Sequence, residues 1–188
     1  MERIILASAS PRRAELLRAA GIEFDVMPAH TDETVNPGET PEAYARRVAE
    51  AKARAVLPRA NGRPVLAADT VVIVDGAILG KPLDRGDAKR MLRMLSGRSH
   101  EVLTAVCLSG GPDEARPTQT GVETTTVEFA PLGEADVDWY VSTGEPDDKA
   151  GAYAIQGLAS RFITRISGSY GNVVGLPVSL VYELLKGR

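Results

Sequence analysis

The chain has 188 residues and a formal net charge of −3, with only two His and one Cys. This length suits one domain or two small lobes that share a cleft. The acidic balance argues against a dedicated nucleic-acid-binding protein, and a single Cys excludes an intrachain disulfide and a Cys-based zinc site. No apolar run approaches the roughly 20 residues that span a bilayer. The composition therefore predicts a compact cytoplasmic protein that acts on a small molecule.

The first elements are predicted from apolar runs and capping residues. Residues 3–8 form an apolar run typical of a buried strand, with too few apolar residues for a signal-peptide core. Ser10 is placed to cap a helix whose first residue is Pro11, and Gly21 is placed to end it. The further expected elements are a strand at 22–28, a polar loop at 30–40, a helix at 41–57 after Thr40, a strand at 64–69 with a continuation or partner at 70–76, and a helix at 84–96.

The second half of the sequence predicts two long strands at 99–108 and 121–129, joined by a surface loop at 109–118. Further expected elements are a helix at 133–142, a polar loop at 143–157, a strand at 163–167 and a helix at 176–187. Because helices and strands alternate around one long β-pair, we expect an α/β or α+β fold with a mixed sheet. We expect one domain over residues 1–188, since no linker interrupts the pattern.

Two adjacent arginines follow the expected helix start. Arg12 and Arg13 fall in the first turn, where each positive charge opposes the helix dipole by about 0.3–1 kcal/mol. Together with free N–H groups and the hydroxyls of Ser8 and Ser10, they would suit an oxyanion or a phosphate. The alternative is that both arginines are simply solvated.

Asp69 is a charged residue between two apolar runs, at the expected carboxyl end of a strand. Ligands of α/β sheets bind at such ends. A carboxylate there could hold a divalent metal or accept a proton from water. The alternative is a structural Asp that caps a turn.

Other polar residues permit both a functional and an ordinary interpretation. Lys81 lies between Gly and Pro, although no phosphate-binding P-loop motif is present. Lys52 lies close to the apolar face of its helix, where it would bind a ligand or extend to water. Lys149 and Gln156 belong to a polar segment that either binds a ligand or is a plain surface loop. His100 is expected to be a surface or hydrogen-bonded residue.

Taken together, the motifs resemble the Maf family, the septum-formation-inhibitor-type nucleoside triphosphate pyrophosphatases. The resemblance extends from Leu6 to Pro177. The matching segments are LASASPRRAELL, DET with PEAYARRVAEAKA, AADTVV, LGKP, LSGRSHEVLTAV, TGEPDDKAGAYAIQG and ISGSYGNVVGLP.

The resemblance implies a mixed, elongated α/β sheet flanked by helices, in two lobes around a central cleft. It also implies the hydrolysis of a nucleoside triphosphate to a monophosphate and pyrophosphate with a divalent cation, Mg²⁺ or Mn²⁺. Asp69 matches the family's proton acceptor and a metal ligand, and Glu33 is a further candidate ligand. The implied substrate-binding residues are Ser8, Ser10, Arg12, Arg13, Lys52, Thr70, Lys81 and Gln156.

Three positions resemble the branch of the family that hydrolyses dTTP and UTP: Arg12, Thr70 and Gln156. The 7-methyl-GTP branch has Trp in place of the Arg and an acidic residue in place of the Gln. A neutral amide both donates and accepts, so Gln156 could pair with the O4 and N3–H edge of uracil or thymine. The alternatives are a 7-methyl-GTP pyrophosphatase and a non-catalytic nucleotide sensor in septum formation. A homodimer is expected by analogy with the family only.

Overall fold

The computed structural model describes residues 2–110 and 117–187, and within these residues it contains seven strands and six α-helices. The strands are β1 (Ile4–Leu6), β2 (Phe24–Val26), β3 (Val65–Val74), β4 (Ala77–Leu79), β5 (Ser99–Ser109), β6 (Gln119–Phe129) and β7 (Ile163–Ser167). The helices are α1 (Pro11–Ala19), α2 (Pro41–Val56), α3 (Arg85–Leu95), α4 (Glu134–Ser142), α5 (Tyr170–Val174) and α6 (Val178–Lys186). None of the described helices is long and apolar enough to cross a membrane.

The strands form one mixed sheet in the order β2-β1-β3-β5-β6-β7, with β4 paired to β3. Strand β1 pairs in parallel with both β2 and β3, whereas the β3–β4 and β6–β7 pairs are antiparallel. The expected α/β fold with a mixed sheet flanked by helices is therefore confirmed. The expected surface loop at 109–118 falls largely on residues 111–116, which lie outside the described part of the chain.

The helix starts differ in how their first N–H groups are satisfied. At α2, the Thr40 hydroxyl accepts a hydrogen bond from the Ala43 N–H at 3.2 Å, as expected for an N-cap. At α1, the expected cap by the Ser10 side chain is wrong, because Ser10 makes no capping hydrogen bond. Instead, its own N–H donates to the Ser8 hydroxyl at 3.2 Å. The Ser8 hydroxyl therefore holds the backbone of the turn that precedes α1.

The region after β3 contains a tight hairpin that the sequence analysis did not separate from the strand. Asp75 and Gly76 both have positive φ, 51° and 75°, and they join β3 to β4. An Asp-Gly pair is suited to such a turn because both central residues must adopt left-handed conformations. Residues 70–74 therefore continue β3, and β4 supplies its antiparallel partner.

The chain divides into two compact units. Unit 1 comprises the chain up to Thr70, Thr104–Glu123 and the chain from Gly175 onward, and unit 2 comprises Val71–Leu103 and Thr124–Val174. The core of unit 1 is aliphatic and includes Ile4, Leu6, Leu17, Leu66, Val106, Leu108 and Leu176. The core of unit 2 adds aromatic rings and includes Leu92, Leu95, Phe129, Tyr140, Tyr153 and Phe162. The expected central cleft and the expected single domain stay predictions.

His100 is part of the aromatic core of unit 2. It is 3% exposed, its Nε2 lies 2.8 Å from the Tyr153 hydroxyl, and its ring packs edge-on against Phe129 at 5.2 Å. Of the two expectations for this residue, the hydrogen-bonded one is confirmed and the surface one is wrong. Burial lowers the pKa of His100 to about 4.

We expect His100 to make the fold less stable in mild acid. An unfolded His has a pKa of about 6.5, so the unfolded chain binds the extra proton as the pH falls from about 6.5 towards 4. The contribution of the neutral His100 to the free energy of unfolding should therefore be fully present above about pH 6.5. It should fall by about 2 kcal/mol by pH 5. Urea unfolding at pH 7.5 and pH 5 measures it. His100→Gln should reduce the loss by about that amount, whereas the same change at exposed His30 should not. An equal loss in all three proteins would contradict this account.

Candidate active site

Asp69 lies in the middle of the ten-residue strand β3 rather than at its carboxyl end, because Thr70 and the apolar residues after it continue the strand. The residue is 6% exposed. Its Oδ1 accepts a hydrogen bond from the Lys52 ammonium at 2.8 Å. No described residue donates a hydrogen bond to Oδ2. A buried carboxylate with one oxygen held and the other uncommitted can accept a proton or contact a cation.

Lys52 bridges two carboxylates. Its Nζ lies 2.8 Å from Asp69 Oδ1 and 2.8 Å from Glu33 Oε1, and its side chain is 12% exposed. The alternative that Lys52 extends to water is therefore wrong. A buried ammonium requires such partners, because an uncompensated charge away from water is costly. The Arg13 guanidinium also interacts electrostatically with Asp69 and Glu33, so two basic side chains accompany the two carboxylates at this point of unit 1.

The loop that carries Glu33 is fastened to helix α2. The Tyr44 hydroxyl donates to the Glu33 carbonyl at 2.9 Å, and Arg47 donates both to the Thr34 carbonyl at 2.9 Å and to the carboxylate of Glu39 at 2.6 Å. The hydrogen bond from Arg47 lowers the pKa of Glu39 to about 2. These contacts hold the Glu33 backbone, although the Glu33 side chain itself is 47% exposed.

Arg13 donates to four acceptors of unit 1. Its Nε donates to the Gly175 carbonyl at 2.8 Å, and its Nη1 donates to the Ser8 hydroxyl at 3.2 Å and to the Ala68 carbonyl at 2.9 Å. Its Nη2 donates to the Thr70 hydroxyl at 3.1 Å. The guanidinium therefore joins the turn before α1, both residues that flank Asp69 in β3, and the start of the C-terminal segment.

The two adjacent arginines lie in different environments. Burial lowers the pKa of Arg13, and the Asp69 carboxylate opposes that effect. Arg12 is half-buried on the same helical turn, and no described residue accepts a hydrogen bond from its guanidinium. A guanidinium has five N–H donors. Those of Arg12 are available to an anion, whereas four of the five on Arg13 already donate to protein acceptors.

Thr70 also belongs to this network. Its hydroxyl lies 2.9 Å from the Thr104 hydroxyl and 3.4 Å from the Gly175 carbonyl, in addition to accepting from Arg13. The position after Asp69 is thus held from three sides. Part of the hydrogen-bonding capacity of Thr70 is consequently used within the protein.

Lys81 and Gln156 belong to unit 2, and both are exposed. The loop before Lys81 is held by a hydrogen bond from the Gly151 N–H to the Gly80 carbonyl at 3.0 Å. Gly151 has a φ of 68°, and a Cβ there would press against the side chain of Val72, so only Gly suits this approach. The placement of Lys81 and Gln156 beside the Asp69 network stays a prediction.

The candidate metal ligands are oxygen donors, as Mg²⁺ prefers. In residues 2–110 and 117–187, no three Asp, Glu, His or Cys side chains cluster so as to hold a metal ion. Asp69 and Glu33, joined through Lys52, supply two carboxylates. This set fits a cation that takes its remaining ligands from water and substrate phosphates, which is how Mg²⁺ is commonly bound in enzymes that act on nucleotides.

The structure thus brings together most of the residues expected in unit 1: Ser8, Ser10, Arg13, Glu33, Lys52, Asp69 and Thr70. Sequence reasoning missed the Gly175 carbonyl and Thr104, which complete the Arg13 and Thr70 network. It also missed Glu145 and Tyr140, which contact the backbone on both sides of Gln156. No local pattern distinguishes Glu145 from the acidic residues beside it.

The solved structures that resemble this chain include the Staphylococcus aureus Ham1 protein, with a TM-score of 0.55, 16% sequence identity and 99% coverage of each chain. A HAM1 protein from Coxiella burnetii gives a TM-score of 0.54, 19% identity and full coverage of both chains. At these identities, the likeness concerns the fold alone.

Sequence relatives are much closer. A dTTP/UTP pyrophosphatase of Anaeromyxobacter sp. (strain Fw109-5) is 54% identical over 98% of this chain and 88% of its own length. Proteins of the same name from Symbiobacterium thermophilum and Koribacter versatilis are 52% and 51% identical, over 98% and 97% of this chain and 93% of their own lengths. The model of the family described as Maf-like protein matches residues 3–188. With this match over nearly the whole chain and relatives above 50% identity, the chain belongs to the Maf family.

Proposed function

We propose that the chain is a nucleoside triphosphate pyrophosphatase that hydrolyses dTTP and UTP, and modified pyrimidine triphosphates of similar shape, to the monophosphate and pyrophosphate. The observation that carries the proposal is the buried Asp69 carboxylate, whose Oδ1 is held by Lys52 at 2.8 Å while no described residue donates to Oδ2. The names of relatives that are 51–54% identical support the same substrates.

In this reaction Asp69 acts as the general base. The oxygen of a water molecule attacks the α-phosphorus, and the bond from that phosphorus to the bridging oxygen breaks. Pyrophosphate leaves with the electron pair of that bond, and Asp69 takes the proton that the water gives up. Lys52 orients the carboxylate through Oδ1 and leaves Oδ2 available for this proton.

The triphosphate requires several positive charges. Arg12, with its uncommitted N–H donors, and Lys81, exposed beside Gly80, are the phosphate contacts we propose, together with the Lys52 ammonium and the turn from Ser8 to Ser10. Arg13 has a different role, because its donors bind protein acceptors. It positions Asp69 by holding the carbonyl before this residue and the hydroxyl after it.

A divalent cation, Mg²⁺ or Mn²⁺, would be held by Asp69 and Glu33 together with phosphate oxygens. When bound, it would neutralise negative charge on the triphosphate. The modest net charge of −3 supports one short polyanion rather than a nucleic acid as the ligand. A cytoplasmic location remains part of the proposal on the composition, with its single Cys, and a homodimer by family analogy alone.

A nucleotide panel tests the proposed function. Purified protein is assayed for pyrophosphate release from dTTP, UTP, CTP, GTP and 7-methyl-GTP, with Mg²⁺ or Mn²⁺ and with EDTA as the control. We expect release from dTTP and UTP that depends on the cation. Release from 7-methyl-GTP alone would favour the other branch, and tight nucleotide binding in calorimetry without any release would favour the regulatory alternative.

We expect Gln156→Glu to weaken the preference for UTP and dTTP. A carboxylate accepts hydrogen bonds but cannot donate one to O4 of the base, so one partner of the uracil edge is lost. Loss of such a contact reduces kcat/KM for UTP by about tenfold or more. The ratio of kcat/KM for UTP to that for GTP measures the effect. An unchanged ratio would show that Gln156 does not contact the base.

A further inference from the structure

The Gln156 side chain is exposed, so its direction depends on how firmly the backbone around it is held. The segment 154–157 has little regular structure before the short 3-10 helix Leu158–Phe162. An amide that must discriminate between bases needs a fixed orientation, because a freely turning amide presents a donor or an acceptor equally well.

The carboxylate of Glu145 holds the backbone just after Gln156. Its Oε2 accepts a hydrogen bond from the Leu158 N–H at 2.9 Å, and its Oε1 accepts from the Ala159 N–H at 3.3 Å. The same Oε1 accepts from the Tyr140 hydroxyl at 2.8 Å. Three donors therefore fix one carboxylate whose oxygens face protein groups.

Tyr140 holds the other side of the segment. Its hydroxyl oxygen accepts a hydrogen bond from the Ala154 N–H at 3.2 Å, two residues before Gln156. The Tyr140 side chain is fully buried on helix α4 and packs edge-on against Phe162 at 5.6 Å. Burial raises the pKa of Tyr140, and the hydrogen bond to Glu145 raises it further, so the phenol keeps the proton that it donates.

Gly157 lies directly against this carboxylate. A Cβ at this position would overlap the Glu145 carboxylate, so a side chain after Gln156 would displace the carboxylate from its three donors. Because Gly157 has no side chain, the backbone lies close enough to the Glu145 carboxylate for the Leu158 N–H to donate to it. The pair Glu145 and Tyr140, hereafter the Glu145–Tyr140 clamp, thus contacts the chain on both sides of Gln156.

We infer that the Glu145–Tyr140 clamp positions Gln156 and so sets the base selectivity of the enzyme. Glu145 acts through the backbone, because its oxygens are occupied by Tyr140, Leu158 and Ala159 rather than directed at a ligand. This inference rests on the proposed function, in which Gln156 contacts the base.

The first measurement is amide hydrogen exchange by NMR on the full chain. In Glu145→Gln, an NH₂ group replaces one carboxylate oxygen and faces an N–H donor, so we expect the Leu158 and Ala159 amides to exchange about tenfold faster or more. Tyr140→Phe, which keeps the buried ring, should accelerate the Ala154 amide. Glu134→Gln, the same acid-to-amide change at an exposed ion pair with Arg93, should leave these amides unchanged.

The second measurement is base selectivity, expressed as the ratio of kcat/KM for UTP to that for CTP. We expect Glu145→Gln and Tyr140→Phe each to lower this ratio by about fivefold or more, and Glu134→Gln to leave it unchanged. Because the clamp acts through Gln156, Glu145→Gln should lower the ratio no further in a Gln156→Ala background. A purely structural role would lower activity on both nucleotides and leave the ratio alone.

The outcomes separate this inference from the proposed function. Suppose that the wild-type protein discriminates between UTP and CTP and that both clamp variants keep the wild-type ratio of kcat/KM. The inference is then overturned and the proposed function stands. Additive effects of Glu145→Gln and Gln156→Ala on the ratio would also overturn it. If the wild-type protein releases no pyrophosphate from UTP or dTTP, both fail together. Tyr140→Phe keeps the test valid should Glu145→Gln not fold.

Discussion

Asp69→Asn should lower kcat for UTP hydrolysis by roughly 10²–10⁴, the usual contribution of a general base. The amide cannot take a proton from water, but its oxygen still accepts from Lys52, which also keeps its 2.8 Å contact with Glu33. The free energy of unfolding should therefore change by no more than about 1 kcal/mol. Steady-state kinetics and urea unfolding of the same preparation provide both measurements.

A matched change at Asp75 serves as the control for Asp69→Asn. Asp75 is exposed in the β3–β4 hairpin with a φ of 51°, a conformation that Asn adopts as readily as Asp. Asp75→Asn should leave kcat unchanged. Glu33→Gln provides a second comparison, since it removes the other carboxylate on Lys52 but not the proposed base. If Asp69→Asn retains more than about a tenth of the wild-type kcat, Asp69 is not the base.

Arg13→Gln should destabilise the fold and lower kcat while leaving KM for UTP nearly unchanged. Its four acceptors lose a charged donor, and we expect a cost of about 3 kcal/mol, since water and the new amide recover part of the lost hydrogen bonding. For a chain of this size that cost lowers Tm by about 6–12 °C. A shift of Asp69 relative to the substrate should lower kcat by about 10²-fold.

Arg12→Gln, at the neighbouring residue, should have the opposite effects: little change in stability and a higher KM for UTP. Arg12 donates to no described residue, so its loss should change the free energy of unfolding by no more than about 0.5 kcal/mol. KM for UTP should rise because a phosphate contact is lost. Comparing the two variants at a temperature where both are folded distinguishes a positioning arginine from a phosphate-binding one. If Arg13→Gln instead raises KM and leaves Tm unchanged, Arg13 contacts the phosphates directly.

Local patterns were sufficient for much of the fold. The apolar run that begins at Val65 and the helical spacing of Tyr44, Val48 and Ala51 predicted β3 and α2 correctly, because strand and helix periodicity depend on neighbours in sequence. The Asp-Gly pair at residues 75 and 76 is a local turn signal as well, but the prediction included it in the strand region 70–76. The Ser10 cap was wrong: the Ser10 hydroxyl accepts no N–H of α1, and the serine contact at this turn is the one from the Ser10 N–H to the Ser8 hydroxyl.

The candidate site was only partly predictable. Asp69 stood out as a charged residue between two apolar runs, at the expected carboxyl end of a strand, but nothing local identified Lys52 as its partner. The two arginines looked equivalent in sequence. Consecutive helical residues point about 100° apart, so packing decides which one faces the protein interior.

By itself, the sequence determined the elements, the mixed character of the sheet, the resemblance to Maf proteins and the polar residues that deserve tests. These depend on composition, periodicity and motif order. Only the tertiary structure decided that Arg13 donates a hydrogen bond to the carbonyl of Gly175, 162 residues away. It also decided that Glu145 holds the backbone beside Gln156. Such pairings depend on how distant segments pack, because a buried donor or acceptor must find its partner wherever the folded chain brings one within hydrogen-bonding distance.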